Sequence, residues 1–148
     1  MRFGFCDLAV VPVRTEPGDR AEMSTQLLFG DLVEIIEQSG TWYFIRNYYD
    51  DYEGWVDVKQ LKPLTEVEYR RLTGAEMFVN HQFFGDMVRN EGMSIRLPAG
   101  CSFYNLKGRV MLVDDQQFVL EGKASPFKFT GTHHLIETAL GYLSCPYL

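Results

Sequence analysis

The residues most able to act as nucleophiles or metal ligands in this chain are its cysteines and histidines. They are Cys6, Cys101, Cys145, His81, His133 and His134. The cysteines lie far apart with no paired spacing, which argues against a disulfide framework and a zinc knuckle. Cys145 follows a predicted helix, whereas an activated thiolate usually lies at a helix N-terminus or beside a cationic base. We therefore predict that the cysteines are reduced and mostly packing residues.

The histidines do not form a recognisable site either. His133 and His134 are adjacent, so their side chains point in different directions and are poorly placed to share a metal ion. We expect them to be solvent-exposed neighbours of a helix cap. His81 has no companion ligand nearby in the sequence. The sequence therefore predicts no metal, no cofactor and no catalytic residue in this chain.

The most informative stretch is an aromatic β-hairpin at residues 41–57. Large and polar residues alternate on both sides of a tyrosine-rich tip, which is the period of a strand with one buried face. Trp42, Phe44 and Trp55 are expected to anchor a small core, and Gly54 to let a neighbouring backbone pass close by. The tip is either a solubilising turn beside this core or the wall of a ligand site. The residues leave both readings open.

Charge narrows the classes of partner. The chain has 148 residues and a net charge of −6. Residues 1–65 hold 6 basic and 11 acidic residues, and residues 66–148 hold 8 and 9. An acidic surface repels phosphate backbones and anionic lipid, so we expect neither nucleic acid nor a membrane surface as partner. A cationic or amine-bearing ligand suits the first half better.

Turn signals divide the chain into short strands, which is typical of a mainly β protein. Residues 1–62 predict about five strands and one long early loop, beginning with an edge or irregular first strand at residues 8–13. Thr65 and Glu68 match a capping box and predict a short helix, which should end at Gly74 in the left-handed conformation.

The second half predicts a further set of short strands and a final helix. The strands are expected at residues 77–88, 94–97, 101–105, 109–113 and 117–120. An apolar stripe with Thr132 as N-cap predicts an amphipathic helix at residues 132–143. The sequence thus predicts two small β-barrels joined by a short helix and followed by a C-terminal helix.

The N-terminus lacks the apolar segment and cleavage site of a secretory signal. We therefore expect a cytoplasmic protein, or a periplasmic or secreted one if a leader has been removed. No run approaches the roughly 18 apolar residues of a membrane span, so none is expected.

Three segments resemble the first bacterial SH3-like domain of NlpC-type cell-wall cysteine peptidases. They are residues 11–17, 22–31 and 52–56. The resemblance is nearest to the γ-D-glutamyl-L-diamino-acid endopeptidases, also called dipeptidyl-peptidase VI, which carry two SH3-like domains before a papain-like catalytic domain. Residues 136–148 are similar to the first helix and entry loop of that catalytic domain.

The resemblance implies four segments, with substrate recognition and catalysis in different domains. They are a first SH3-like domain at 1–64, a helical linker at 65–75, a second SH3-like domain at 76–128 and the start of a catalytic domain at 129–148. In the family the chain continues into an Asp-Cys-Ser-Gly motif that carries the nucleophile, and this motif is missing here. The chain is therefore expected to be a non-catalytic, substrate-recognising region of a peptidoglycan hydrolase acting in murein peptide recycling. It would work with a catalytic domain in cis.

The resemblance also implies a binding site. Glu22 and Tyr52 match the glutamate and tyrosine that hold the free amino terminus of the L-alanine in L-Ala-γ-D-Glu-diamino-acid peptides. The alternative is that Glu22 is one more solvated carboxylate and Tyr52 an ordinary residue of the hairpin tip. At the level of the whole chain, the alternative function is a stand-alone SH3-like adaptor that binds a peptide or protein partner.

Overall fold

A computed structural model of the chain describes residues 2–81, 85–88, 92, 94–128, 136–137, 139–140 and 143. Its N-terminal part is one antiparallel sheet of seven strands, in the order β3-β2-β6-β5-β4-β1-β7. We name it the N-terminal sheet. Its strands are β1 (Arg2–Phe5), β2 (Val10–Arg14), β3 (Met23–Leu28), β4 (Leu32–Ser39), β5 (Trp42–Asn47), β6 (Glu53–Asp57) and β7 (Lys62–Leu64). The pairings leave β3 and β7 as the ends of this sheet, so the predicted closed barrel is not shown.

The strand predicted as an edge or irregular first strand is neither first nor at an edge, but it is irregular, because its pairing with β3 shifts register between Val13 and Arg14. β1 precedes it and pairs with both β4 and β7, which are distant in the sequence. β2 lies between β3 and β6. Pro12 fits there because β2 pairs along its length with β3 but meets β6 at one pair, Arg14 with Trp55. A proline needs no second ladder partner at such a position.

The hairpin forms as predicted, but the residues that it contributes to the core are not the predicted ones. β5 and β6 pair from Trp42 with Asp57 to Arg46 with Glu53. The side chains of Ile45 and Val56 are fully buried, whereas Trp42, Phe44 and Trp55 are only half-buried. The prediction that these three aromatics anchor the core was therefore wrong. Phe44 and Trp55 instead pack on each other, with ring centroids 5.2 Å apart.

The helix α1 (Glu66–Thr73) follows the N-terminal sheet, as the capping residues predicted. The Thr65 hydroxyl accepts the Glu68 amide at 3.1 Å. The Glu68 carboxylate binds Arg71 and the amide of Asp114, so it holds α1 against the strands that follow. Gly74 ends the helix with a φ of −86°, so the expected left-handed conformation was wrong.

The C-terminal strands form two smaller antiparallel sheets, ordered β10-β9-β13-β12 and β11-β8-β14. They are β8 (Met77–Asn80), β9 (Gly85–Val88), β10 (Ser94–Leu97), β11 (Ser102–Tyr104), β12 (Val110–Val113), β13 (Gln116–Glu121) and β14 (Ala124–Pro126). The predicted strand at 77–88 is thus two strands in different sheets, and β14 was not predicted. The division of the chain into tandem domains stays a prediction.

One hydrophobic core joins the N-terminal sheet to the C-terminal strands. The Phe118 ring lies 5.3 Å from that of Phe29 and 6.0 Å from that of Phe5. Phe103 packs on Phe29 at 5.9 Å, and all four rings are buried. The two parts therefore share apolar surface that neither could bury alone.

Most of the predicted C-terminal helix lies outside the described residues. Ile136, Glu137, Ala139 and Leu140 are helical, and all four are exposed. His133, His134 and Cys145 also lie outside the described residues. The bounds of this helix and the surface it covers stay predictions.

Candidate functional site

Glu22 and Tyr52 lie at the same end of the N-terminal sheet. Arg14 pairs with Met23 of β3 on one side and with Trp55 of β6 on the other. Both neighbours run antiparallel to β2, so they enter the sheet at the same end. Glu22 directly precedes β3, and Tyr52 directly precedes β6. Two residues 30 positions apart are therefore separated by a single strand.

Hydrogen bonds fix the loop that carries Glu22. The Thr15 amide donates to the Glu22 carbonyl at 3.0 Å, and Arg14 Nη1 donates to the Ala21 carbonyl at 2.7 Å. Within the loop the Ala21 amide donates to the Gly18 carbonyl at 3.1 Å. Glu22 is exposed, and none of the ion pairs among the described residues includes it. Its carboxylate is thus available to an external cation.

The hairpin tip is equally well fixed. The Tyr52 amide donates to Asp50 Oδ1 at 3.1 Å, and the Tyr52 carbonyl accepts the Asn47 amide at 2.9 Å. The Tyr52 side chain is 44% exposed. Asp51 has a φ of 57°, the left-handed conformation that closes the turn. The tip therefore presents an aromatic ring and a hydroxyl on a hydrogen-bonded backbone.

Gly54 permits the close approach of β2 and β6, as predicted. A Cβ at this position would lie 2.5 Å from Val13 Cγ1 and 2.9 Å from the Arg14 carbonyl oxygen. Cβ atoms in proteins do not make contacts this short, so only glycine allows β6 to lie this close to β2. The spacing between Glu22 and Tyr52 depends on this close pairing.

A neighbouring carboxylate is already neutralised. Glu53 Oε1 accepts hydrogen bonds from Arg46 Nη2 at 2.7 Å and from Arg46 Nε at 2.9 Å. The Glu53 carboxylate raises the pKa of Arg46, chiefly through this hydrogen bond. Glu53 is therefore a poorer partner for an incoming ammonium group than Glu22.

A second concave region was not predicted from the sequence. A cleft of about 280 Å³ lies where the N-terminal sheet meets the C-terminal strands. We name it the inter-sheet cleft. It is lined by Asp31, Leu32, Tyr48, Tyr49, Met77, Ser102 and Tyr104. Its lining residues lie far apart in the sequence, so no local pattern indicates it.

The described cysteines are packing residues. Cys6 and Cys101 are free and fully buried. Burial raises the pKa of both thiols, that of Cys101 to about 12, so neither is a thiolate at neutral pH. No cluster of His, Cys, Asp or Glu that could hold a metal ion occurs in the part of the chain that the structure describes. No helix among the described residues is long and apolar enough to cross a membrane.

Comparison with known proteins defines the class of the N-terminal region. Residues 13–61 match the family model of the bacterial dipeptidyl-peptidase SH3 domain. This segment contains both Glu22 and Tyr52. Residues 13–61 are therefore a bacterial SH3 domain of the dipeptidyl-peptidase type, as the resemblance implied.

The fold of the chain is similar to that of an NlpC/P60 family protein from Bacillus cereus. The crystal structure of that protein is similar with a TM-score of 0.77 and 16% sequence identity, over 99% of this chain. The chain spans 65% of the length of that structure. No curated protein matches the chain. The chain therefore contains a match to the dipeptidyl-peptidase SH3 domain at residues 13–61, and its fold is similar to that of an NlpC/P60 family protein.

Proposed function

We propose that this chain is the non-catalytic, substrate-recognising region of a cell-wall peptidase. Its ligand is the free amino terminus of an L-Ala-γ-D-Glu-diamino-acid stem peptide. One observation carries the proposal: Arg14 pairs with both Met23 and Trp55, and this brings Glu22 and Tyr52 to one end of a dipeptidyl-peptidase SH3 domain.

The chemistry of the pair suits an ammonium group. A carboxylate is the natural partner of an ammonium ion, and charge-assisted hydrogen bonds are roughly twice as strong as neutral ones. The ring of Tyr52 can enclose the alanine methyl group while its hydroxyl takes a hydrogen bond. Both groups are exposed on rigid backbone, so the site requires little ordering when the peptide binds.

In this proposal, catalysis belongs to a domain separate from the substrate-recognising region. Cysteine peptidases need a thiolate held by an oriented histidine. Cys6 and Cys101 are buried thiols with raised pKa values, and neither can fill that role. We expect the isolated chain to bind stem peptide weakly, with a Kd of about 1 mM, because the catalytic domain would supply further contacts to the peptide.

The test compares two peptides on three proteins. Nuclear magnetic resonance titrations of L-Ala-γ-D-Glu-diaminopimelate and its N-acetyl analogue are run on the parent chain, on Glu22→Gln and on Glu16→Gln. Glu16 is an exposed glutamate of the same loop and provides the matched control. Glu22→Gln should raise the Kd for the free-amine peptide about tenfold, whereas Glu16→Gln should leave it unchanged. Equal effects of Glu22→Gln on both peptides would remove Glu22 from the site.

A further inference from the structure

The inter-sheet cleft is built from both parts of the chain. Asp31, Tyr48 and Tyr49 come from the N-terminal sheet and its hairpin tip. Met77, Ser102 and Tyr104 come from β8 and β11. Its volume of about 280 Å³ lies near the lower end of the range for ligand pockets, roughly 300–1,000 Å³. It can therefore take a small molecule or a single side chain.

Asp31 supplies the cleft with a fixed and partly buried carboxylate. Asp31 Oδ2 accepts the Leu28 amide at 2.9 Å, and the Asp31 amide donates back to the Leu28 carbonyl at 3.0 Å. One carboxylate oxygen is thus held in a tight turn. None of the residues that line the cleft is basic, and no ion pair among the described residues includes Asp31.

The tyrosines around Asp31 are held by ring contacts. Tyr48 makes an edge contact with Tyr69 at 6.2 Å, and Tyr49 makes one with Phe127 at 6.0 Å. Tyr104 is buried. Its burial, and to a lesser degree the nearby charge of Asp31, raise the pKa of its hydroxyl. This hydroxyl therefore stays protonated. The cleft thus combines one anion, aromatic rings and neutral hydroxyl groups.

We propose that the inter-sheet cleft is a second binding site, separate from Glu22 and Tyr52, that takes a small primary ammonium group against Asp31. Aromatic faces attract such a cation through the negative face of the ring, and the attraction grows when water is excluded. The hydroxyl groups of Ser102 and Tyr104 can accept its remaining N–H donors. An anion is repelled by Asp31, and a neutral molecule leaves the charge of the carboxylate without a counter-ion.

The titration of Asp31 supports this assignment. The pKa of Asp31 is raised from 3.8 to about 6, chiefly by burial and also by the charge of Asp50, while the hydrogen bond from the Leu28 amide works in the opposite direction. The other titratable groups that interact with its charge are the buried Tyr104, Cys101 and Cys6, whose pKa values are all raised well above neutral. All three are therefore neutral, and none of them compensates the charge of Asp31. At pH 7.5 Asp31 is therefore an ionised carboxylate whose charge is poorly compensated. A cation that enters the cleft supplies that compensation.

The probe for the experiment is n-propylammonium chloride, with n-propanol as its neutral counterpart of matched size. Amide resonances of Asp31, Ser102 and Tyr104 should shift in a saturable way with the amine at pH 7.5 and not with the alcohol. Asp31→Asn keeps an acceptor for the Leu28 amide and should raise the Kd at least tenfold. Glu22→Gln should change the Kd less than twofold, which separates this cleft from the proposed stem-peptide site.

A measurement on the unaltered chain keeps the proposal open to refutation even if Asp31→Asn fails to fold. The carboxyl resonance of Asp31 is followed against pH with and without saturating n-propylammonium. A tenfold preference for the ionised form lowers the pKa of Asp31 by about one pH unit, because the amine binds that form more tightly. An unchanged pKa, equal shifts with n-propanol, or loss of binding in Glu22→Gln alone would each overturn the proposal.

Discussion

Gly30 lies so close to Ser102 that a side chain at Gly30 would overlap the backbone of the C-terminal strands. A Cβ at Gly30 would stand 1.9 Å from the Ser102 carbonyl oxygen. The Ser102 amide donates to the Phe29 carbonyl at 2.9 Å at the same place. The two parts of the chain therefore meet backbone to backbone beside the inter-sheet cleft.

Gly30→Ala should accordingly be far more destabilising than an ordinary glycine replacement. The φ of Gly30 is +95°, so alanine would be strained even without a neighbour. The overlap with a carbonyl oxygen cannot be relieved by moving a flexible side chain. We expect the free energy of unfolding to fall by more than about 3 kcal/mol, measured by urea denaturation.

Gly40→Ala is the matched control for that variant. Gly40 has a φ of +57°, and nothing lies within 4 Å of a Cβ built there. Only backbone strain is left, which costs about 1–2 kcal/mol. If the two variants lose equal stability, the contact between Gly30 and Ser102 is not tight.

Glu68 is expected to stabilise the fold by joining α1 to the turn between β12 and β13. Its Oε1 accepts the Asp114 amide at 2.8 Å, and Arg71 Nη2 donates to the Leu112 carbonyl at 2.7 Å. Glu68 is buried, with 8% of its surface exposed, so removing its charge leaves Arg71 without its anionic partner. Glu68→Gln should lower the free energy of unfolding by about 2 kcal/mol, because the half-exposed Arg71 is partly screened by solvent.

Glu66→Gln provides the control, since Glu66 forms an exposed pair with Arg70 one turn away on the same helix. This change should cost about 0.5 kcal/mol or less.

The stabilisation by Glu68 should depend on pH. The Arg71 hydrogen bond lowers the pKa of Glu68 below 4.5, so the contribution of Glu68 to the free energy of unfolding is present above pH 4.5 and is lost as the pH falls through the lowered value. Thermal unfolding at pH 7 and pH 3 should therefore show a difference between parent and Glu68→Gln that shrinks in acid.

Asp31 should affect stability in the opposite direction. Its pKa is raised from 3.8 to about 6. The folded chain therefore binds more protons than the unfolded chain between these values, and stability falls as the pH rises from about 4 to 6. Above pH 6 the ionised carboxylate costs up to about 3 kcal/mol.

Asp31→Asn should consequently be more stable than the parent at pH 7, by about 1–3 kcal/mol, with little difference at pH 4. Urea denaturation at the two pH values measures both quantities. Such a gain would mark Asp31 as a residue kept for binding rather than for stability. A variant less stable than the parent at pH 7 would show that the turn needs the charge.

The sequence predicted local structure better than long-range packing. The hairpin, the N-cap at Thr65 and most of the C-terminal strands depend on near neighbours, and they form close to the predicted bounds. The prediction of which hairpin face is buried was wrong because residues 42–45 are apolar on both faces. Their pairing with β4 also shifts register between Ile35 and Glu37. Period alone cannot decide which face is buried in such a strand.

The missed features all depend on contacts between distant residues. β1 was overlooked because its partners, β4 and β7, lie roughly 30 and 60 positions away in the sequence. The shared core and the inter-sheet cleft arise only when Phe29 meets Phe103 and Asp31 meets Tyr104. The proposed pair of Glu22 and Tyr52 was found through a family resemblance, and the strand order then supplied its physical basis.

Gly54→Ala should disturb the spacing between Glu22 and Tyr52 without altering either residue. The methyl group would press on Val13 and on the Arg14 carbonyl oxygen, and β6 is tied to β2 by a single residue pair, so β6 should move away. Overpacking of this kind costs about 1–3 kcal/mol. Binding of L-Ala-γ-D-Glu-diaminopimelate should weaken by more than the roughly twofold change that a purely local adjustment would give. Gly18→Ala is the control, because Gly18 lies in the loop that carries Glu22 and has nothing within 4 Å of a built Cβ. The two glycine variants are compared by urea denaturation and by peptide titration. A Gly54→Ala chain that is destabilised yet binds the peptide normally would show that the close pairing of β2 and β6 does not set the geometry of the proposed site.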